Sequence, residues 1–172
     1  YELYHRGDVE QAYTLAYQIE DTTGFYQHEL IELRAMMAMH TGRNKEADSL
    51  FKEVLGSKYL EIRYKAHVNY AELQNRTFNF DKRLGYLKKA FHIKPSERVI
   101  RIIARHHFQI EADYEEAQMW IDRHPDPTTD KDQAGFDLLR AEFAESKRQY
   151  SEAIRYYQQA RLSAERAGLF NY

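Results

Sequence analysis

The chain has 172 residues, of which 43% are hydrophobic, 14% aromatic and 30% charged, with a formal net charge of −2 at pH 7. Its 7 glycines and 3 prolines are too few for an all-β protein, and the lack of cysteine excludes disulfides, zinc–thiolate sites and thiol catalysis. No apolar run approaches the roughly 18 residues of a membrane-spanning helix. We therefore expect a helical protein and no membrane contact by this fragment.

The helical spacing of apolar residues predicts nine helices. In chain order they are expected at residues 9–21, 25–41, 45–56, 59–76, 80–94, 97–110, 114–123, 130–147 and 150–167. The third shows the spacing most clearly, since its apolar residues fall at i, i+3, i+4, i+7 and i+8 from Ala47. Ser96 and Asp113 are expected to cap two later helices, and the prolines of residues 124–129 predict a longer loop.

A short pattern recurs at intervals of 34 to 36 residues. In each copy a small or turn residue precedes an anchor near the start of a helix, and the anchors are Ala12, Ala47, Arg83, Ala117 and Ala153. A fixed period of this size indicates stacked helix pairs. We expect a single repeat domain over residues 1–172, with repeats at about 1–22, 23–57, 58–95, 96–127 and 128–167.

Beyond the anchors, several other positions recur in phase, and together they resemble the tetratricopeptide repeat (TPR) family over essentially the whole chain. The matching residues are Ala35, Gly42, Ala47 and Phe51; Ala71, Phe80, Ala90 and Pro95; and Ala141, Tyr150, Ala153, Tyr157 and Ala160. Arg83 and Arg148 depart from the family pattern, and Ala104 lies one residue out of frame. The resemblance implies an all-α, right-handed superhelix, a TPR-like solenoid of about five helix-turn-helix repeats.

The resemblance also implies that the first helix of each repeat lines a concave groove that holds a protein or peptide. The positions that carry over are Glu29, Glu32, Met36, Met39, His40, Lys65, Asn69, Glu72, Arg76, His106, Gln109, Glu142 and Glu145. Some family members grip a terminal carboxylate with a Lys and Asn clamp, but Glu32 and Met36 occupy the first clamp positions here. The mixed charge of the groove favours a partner with basic and apolar anchors.

These features predict a protein- or peptide-binding scaffold or sensor module, as part of a larger regulatory protein such as a bacterial signalling protein. No catalytic or nucleotide-binding motif occurs, so we expect no enzyme activity and no cofactor. We expect no metal either, because His106 and His107 are adjacent and point about 100° apart on a helix.

A second interpretation is small-ligand or nucleic-acid binding through a basic segment. Residues 76–107 carry nine Lys or Arg side chains against two acidic ones. Residues 1–57 and 108–172 are each acidic overall, and they would repel a polyanion beyond a short contact. Nucleic acid therefore ranks well below a protein or peptide partner.

Three expectations concern the wider context of the chain. It starts partway into a repeat and residues 168–172 resemble the start of another, so we expect a fragment of a longer protein. Exposed terminal repeats would allow self-association. The compartment is unknown: the cytoplasm is favoured, and the periplasm stays open if the parent protein carries a signal sequence, because the lack of a signal-peptide pattern in a fragment proves nothing about the parent.

Overall fold

A computed structural model describes residues 8–21, 24 and 26–169. Within these residues the protein has nine α-helices and no strand, which confirms the predicted all-α fold class. The helices are α1 (Val9–Gln18), α2 (Gln27–His40), α3 (Asn44–Val54), α4 (Leu60–Arg76), α5 (Phe80–Ile93), α6 (Glu97–His106), α7 (Tyr114–Asp122), α8 (Asp130–Ser146) and α9 (Tyr150–Arg166). None of the described helices is long and apolar enough to cross a membrane. The expectations for residues 1–7 and 170–172 lie outside the described residues.

The chain divides into two compact units, residues 1–95 and 96–172. The first contains α1 to α5 and the second contains α6 to α9. The division falls between Pro95 and Ser96, which is also the predicted boundary between the third and fourth repeats. Within the units, α2 packs with α3, α4 with α5, α6 with α7 and α8 with α9. Consecutive helices therefore form the pairs that the repeat pattern predicts.

The core of the first unit alternates small and large side chains where helices meet. Met39, Phe51, Tyr70 and Leu73 are buried together with alanines of α2 and α3. Among these alanines, the repeat anchor Ala47 has no exposed surface. A small residue at each such position lets two helices approach closely, while the large residues fill the space between them.

A left-handed residue follows the first helix of each pair. Its φ is 77° at Gly42, 59° at Phe78, 54° at Ala112 and 60° at Arg148. After α2, the backbone N–H of Arg43 bonds the carbonyl oxygen of Ala38 at 2.8 Å, as in a Schellman motif. These residues occupy the turn position of the repeated sequence pattern, so the pattern marks the place where the chain reverses between paired helices.

The fourth repeat contains one extra residue, and a π-helical turn accommodates it. Thirteen positions separate Ala104 from Ala117, whereas twelve separate Ala141 from Ala153. After α6 the chain continues as the π-helical turn His107–Glu111. Because such a turn closes around one more residue than an α-helical turn, it restores the phase of the next helix. The one-residue frame difference at Ala104 thus has a structural cause.

Both predicted N-caps are present in the second unit. The Ser96 hydroxyl accepts a hydrogen bond from the Val99 N–H at 3.3 Å, and the Asp113 carboxylate accepts one from the Glu116 N–H at 3.0 Å. Each bond satisfies a backbone donor that the first turn of a helix leaves without a partner.

Candidate functional site

In the first unit, hydrogen bonds join several of the predicted groove residues of α2 and α4. We call the predicted positions on these two helices the α2/α4 face, formed by Glu29, Glu32, Met36, Lys65, Asn69, Glu72 and Arg76. Two contacts between helices show that its members are neighbours. The Asn69 amide donates to the Glu32 carboxylate, and Arg76 donates to the Met39 carbonyl oxygen at 3.4 Å. These contacts place Glu32 beside Asn69 and Arg76 beside the end of α2.

Glu32 lies at the bottom of this face. Its side chain is 4% exposed and accepts the hydrogen bond from Asn69 Nδ2 at 2.6 Å. Burial raises the pKa of the Glu32 carboxyl, while the bond from Asn69 and the charge of Lys65 act in the opposite direction. Glu32 consequently holds α2 and α4 together and presents little surface to a ligand.

Arg76 anchors the other end of the face through contacts with both helices. Its Nε donates to the Glu72 carboxylate at 3.2 Å within α4, and its Nη2 lies 3.2 Å from Nδ1 of His40 on α2. Burial lowers the pKa of His40, and the charge of Arg76 lowers it further against the opposing effect of Glu72. A neutral His40 accepts the Arg76 hydrogen bond through Nδ1.

Two residues predicted to line the groove are buried. Met39 is 1% exposed because α4 packs over it and places Tyr70 and Leu73 in the same core cluster. His106 is also 1% exposed, at the end of α6 where the π-helical turn begins. Neither side chain can touch a partner in this conformation. A ligand would instead meet the exposed side chains of Glu29, Lys65 and Arg76 and the half-buried Met36.

The second unit repeats the arrangement of a polar bridge between first helices. Arg105 on α6 donates through Nε and Nη2 to the two Glu142 carboxylate oxygens on α8, at 2.5 and 3.2 Å. Glu145 accepts the Tyr157 hydroxyl at 2.6 Å, and this bond raises the pKa of Tyr157 to about 12. Gln109 is exposed on the π-helical turn. Glu142 and Glu145 thus already have partners within the unit.

His106 and His107 share the carboxylate of Glu111. The His106 Nε2 lies 3.3 Å from one Glu111 oxygen and the His107 Nδ1 lies 2.6 Å from the other. The imidazole rings are nearly perpendicular, at 88°, with their centroids 5.9 Å apart. No group of three His, Asp or Glu side chains within the described residues has a geometry that could hold a metal ion. His106, His107 and Glu111 therefore connect the start and the end of the π-helical turn through hydrogen bonds.

The basic side chains of residues 76–107 lie on different surfaces and have different partners. In the first unit, Arg76 belongs to the α2/α4 face, whereas Lys88 and Lys89 line a cleft elsewhere. In the second, Arg101 and Arg105 face Glu97 and Glu142. Sequence reasoning missed the contribution of α4 to the cleft, which comes from Arg63 and His67. The only sequence signal that they lie together was their spacing of four residues, which puts them on the same side of a helix.

No protein-family model and no curated protein matches the sequence. Solved structures of MamA, a TPR-like protein, are similar in fold. MamA MSR-1 in a C2 crystal has a TM-score of 0.64 at 15% identity, over 96% of this chain and 92% of that chain. MamA AMB-1 in a P212121 crystal has a TM-score of 0.66 at 15% identity, over 95% of this chain and 94% of that chain. A third MamA structure has a TM-score of 0.66 at 12% identity, over 98% of this chain and 96% of that chain. At this low identity the likeness shows the fold alone, an all-α arrangement of TPR-like helix pairs.

Proposed function

We propose that the chain is a protein-interaction scaffold whose α2/α4 face binds a peptide segment of a partner protein. The observation that carries this proposal is the set of exposed charges on a surface whose floor is held by hydrogen bonds between helices. Glu29, Lys65 and Arg76 are exposed on the two helices that the Glu32–Asn69 bond joins. Because the floor is already ordered, partner binding has to order only the exposed side chains.

The side chains of the face indicate what the partner would look like. Glu29 and Glu72 suit basic anchors, Lys65 and Arg76 suit acidic or carbonyl groups, and Met36 offers a half-buried thioether to an apolar side chain. The partner segment is therefore amphipathic and of mixed charge. This function is binding rather than catalysis, in agreement with the absence of a catalytic motif in the sequence.

The experiment uses a pair of charge exchanges that preserve net charge. Glu29→Lys with Lys65→Glu alters exposed positions of the face, and Glu53→Lys with Lys82→Glu alters exposed positions of the second helices α3 and α5. A photoreactive residue at position 65 or at position 53 captures partners in the source cell. We expect capture at position 65 alone, and at least tenfold weaker binding of the purified partner to the Glu29/Lys65 variant.

The second-helix variant is the matched control and should bind as wild type does. Glu32 is unsuitable for this test because a charge reversal there would disturb a buried hydrogen bond as well as the surface. The assignment of the α2/α4 face would be refuted if the Glu29/Lys65 variant bound the partner as tightly as wild type, or if only the Glu53/Lys82 variant lost binding.

A further inference from the structure

A second surface of the first unit has a different chemical character. A shallow, open cleft of about 530 Å³ lies where the end of α3, the first half of α4 and the C-terminal part of α5 meet. Its polar lining consists of Arg63, His67, Lys88, Lys89 and His92. Arg63 and His67 each precede a residue of the α2/α4 face by two positions, a rotation of about 200° around a helix. The cleft and the α2/α4 face therefore lie on roughly opposite sides of α4.

The cleft is lined by cations and by no carboxylate. Arg63, Lys88 and Lys89 are positively charged at neutral pH, and neither Asp nor Glu is among the lining residues. The Nε of Arg63 is buried and has no hydrogen-bond partner in the part of the chain that the structure describes. A buried donor without a partner is costly, and a rotation of the guanidinium into the cleft that Arg63 lines would let an oxyanion satisfy it.

The helix dipoles account for only part of this arrangement. His92 lies in the last turn of α5, where the helix dipole stabilises a basic side chain, whereas Lys88 and Lys89 lie before that turn. Arg63 lies one turn from the N-terminal end of α4, where the dipole disfavours a cation. The position of Arg63 therefore calls for another explanation, and an anionic ligand supplies one.

His67 reports on the positive charge of the cleft. Its Nδ1 is 2.7 Å from the carbonyl oxygen of Arg63, to which it donates in the neutral ring. Burial lowers the pKa of His67, the hydrogen bond to Arg63 opposes this change, and the charges of Lys89 and Arg63 lower the pKa further. A bound anion would offset the two neighbouring charges, so the pKa of His67 should rise when the cleft is filled.

We infer that this cleft binds a small organic oxyanion, a carboxylate or a phosphate ester, with its charged group at Arg63 and Lys89. Leu55 and Ile93 complete the lining and offer apolar contact to the body of the ligand. The volume falls within the range of small-molecule sites, and a guanidinium binds either oxyanion through two parallel hydrogen bonds. The inference goes beyond the proposed peptide binding and does not depend on it.

The test measures the binding of four probes to the whole chain by NMR titration and calorimetry. Phenyl phosphate and benzoate carry the two oxyanions on the same ring, benzyl alcohol is the neutral analogue, and inorganic phosphate lacks the apolar body. We expect one of the aromatic anions to bind at least tenfold more tightly than benzyl alcohol and than inorganic phosphate. The tighter of the two identifies the oxyanion, and affinity should fall as salt concentration rises.

Two variants and one control locate the site. Arg63→Gln and Lys89→Gln each remove one cation of the cleft, and Lys131→Gln removes an exposed cation of the second unit. We expect at least tenfold weaker binding in either cleft variant that retains the wild-type circular dichroism spectrum, and no change in Lys131→Gln. Saturation with the anion should raise the pKa of His67, read from its imidazole proton shifts.

The inference would be overturned if neither aromatic anion bound, or if benzyl alcohol bound as tightly as the anions. It would also be overturned if the Arg63→Gln and Lys89→Gln variants kept the wild-type affinity, or if the pKa of His67 did not change at saturation. Tighter binding of inorganic phosphate than of phenyl phosphate would also overturn it, because the apolar contacts would then contribute nothing. The Glu29/Lys65 charge exchange should leave probe binding intact. Failure of the cleft and failure of the α2/α4 face can therefore be distinguished.

Discussion

Asn69 on α4 donates a 2.6 Å hydrogen bond to the buried carboxylate of Glu32 on α2. Arg105 and Glu142 form the corresponding bridge between α6 and α8, and in both cases the partners are 37 residues apart. The resemblance to TPR proteins assigns Glu32, Asn69 and Glu142 to ligand contact. In this chain they hold neighbouring first helices to each other, so the proposed partner would have to contact the exposed side chains around them.

Glu32→Gln should stabilise the protein at neutral pH. Because burial raises the pKa of Glu32 in the folded state, folding takes up a proton over the pH range between the usual value of 4.5 and the raised one. The contribution of Glu32 to stability is complete below pH 4.5 and is lost as pH rises through the folded pKa. The neutral glutamine can still accept the Asn69 hydrogen bond without that loss.

The measurement is chemical denaturation of wild type and Glu32→Gln from pH 4 to pH 8. The difference in the free energy of unfolding should grow in favour of the variant as pH rises. Glu29→Gln is the matched control, since Glu29 is exposed on the same helix, and its stability should follow that of wild type. A constant difference between Glu32→Gln and wild type across the range would contradict the assigned pKa direction.

The Arg105–Glu142 pair should contribute measurably to the stability of the second unit. Its side chains are 29% and 24% exposed and form two hydrogen bonds, so we expect a coupling energy of about 1 kcal/mol in a double-mutant cycle with Arg105→Gln and Glu142→Gln. The more exposed Arg161–Glu165 pair, at 61% and 44%, should give less than about 0.5 kcal/mol. Equal coupling in the two cycles would count against a structural role for the bridge.

Ala153→Leu should destabilise the protein by roughly 1–3 kcal/mol. Ala153 is 3% exposed near the start of α9, and its position in the repeat pattern is one where two helices approach closely. Urea denaturation measures the effect. Ser151→Leu adds a large side chain to an exposed site two residues earlier and should change stability by less than about 0.5 kcal/mol. Wild-type stability of Ala153→Leu would mean that the repeat frame is wrong.

Arg148→Gly should stabilise the turn between α8 and α9 by about 0.5–1 kcal/mol. Arg148 is exposed and has a φ of 60°, which glycine adopts without the steric cost that other residues incur. Lys147, the preceding residue, has a φ of −83° and provides the control. Lys147→Gly should lower thermal stability, because glycine adds freedom to the unfolded chain and removes the contact of the Lys147 ammonium with the Phe143 ring. Lowered stability in both variants would argue against a strained turn at Arg148.

The sequence predicted the helices well because their signals are local. Apolar spacing and capping residues placed α4, α5 and α8 within one residue of their observed bounds. The prediction was less accurate for residues 97–110, where α6 ends at His106 and the π-helical turn follows. The extra residue between Ala104 and Ala117 was visible in the sequence, but its accommodation depends on hydrogen bonds around the turn rather than on residue type.

The sequence by itself determined the order of the paired helices. The apolar spacing that marks each helix and the recurrence every 34–36 residues can both be read along the chain without knowing how the helices pack. Only the tertiary structure decided which polar residues are accessible. The TPR resemblance assigns Met39 and His106 to the groove, yet both are buried. Met39 packs in a core cluster with Tyr70 and Leu73 of α4, and His106 lies where the π-helical turn begins. The cleft likewise requires Arg63 of α4 to meet Lys89 of α5. Accessibility and pairing depend on the distances between helices, which a one-dimensional pattern does not specify.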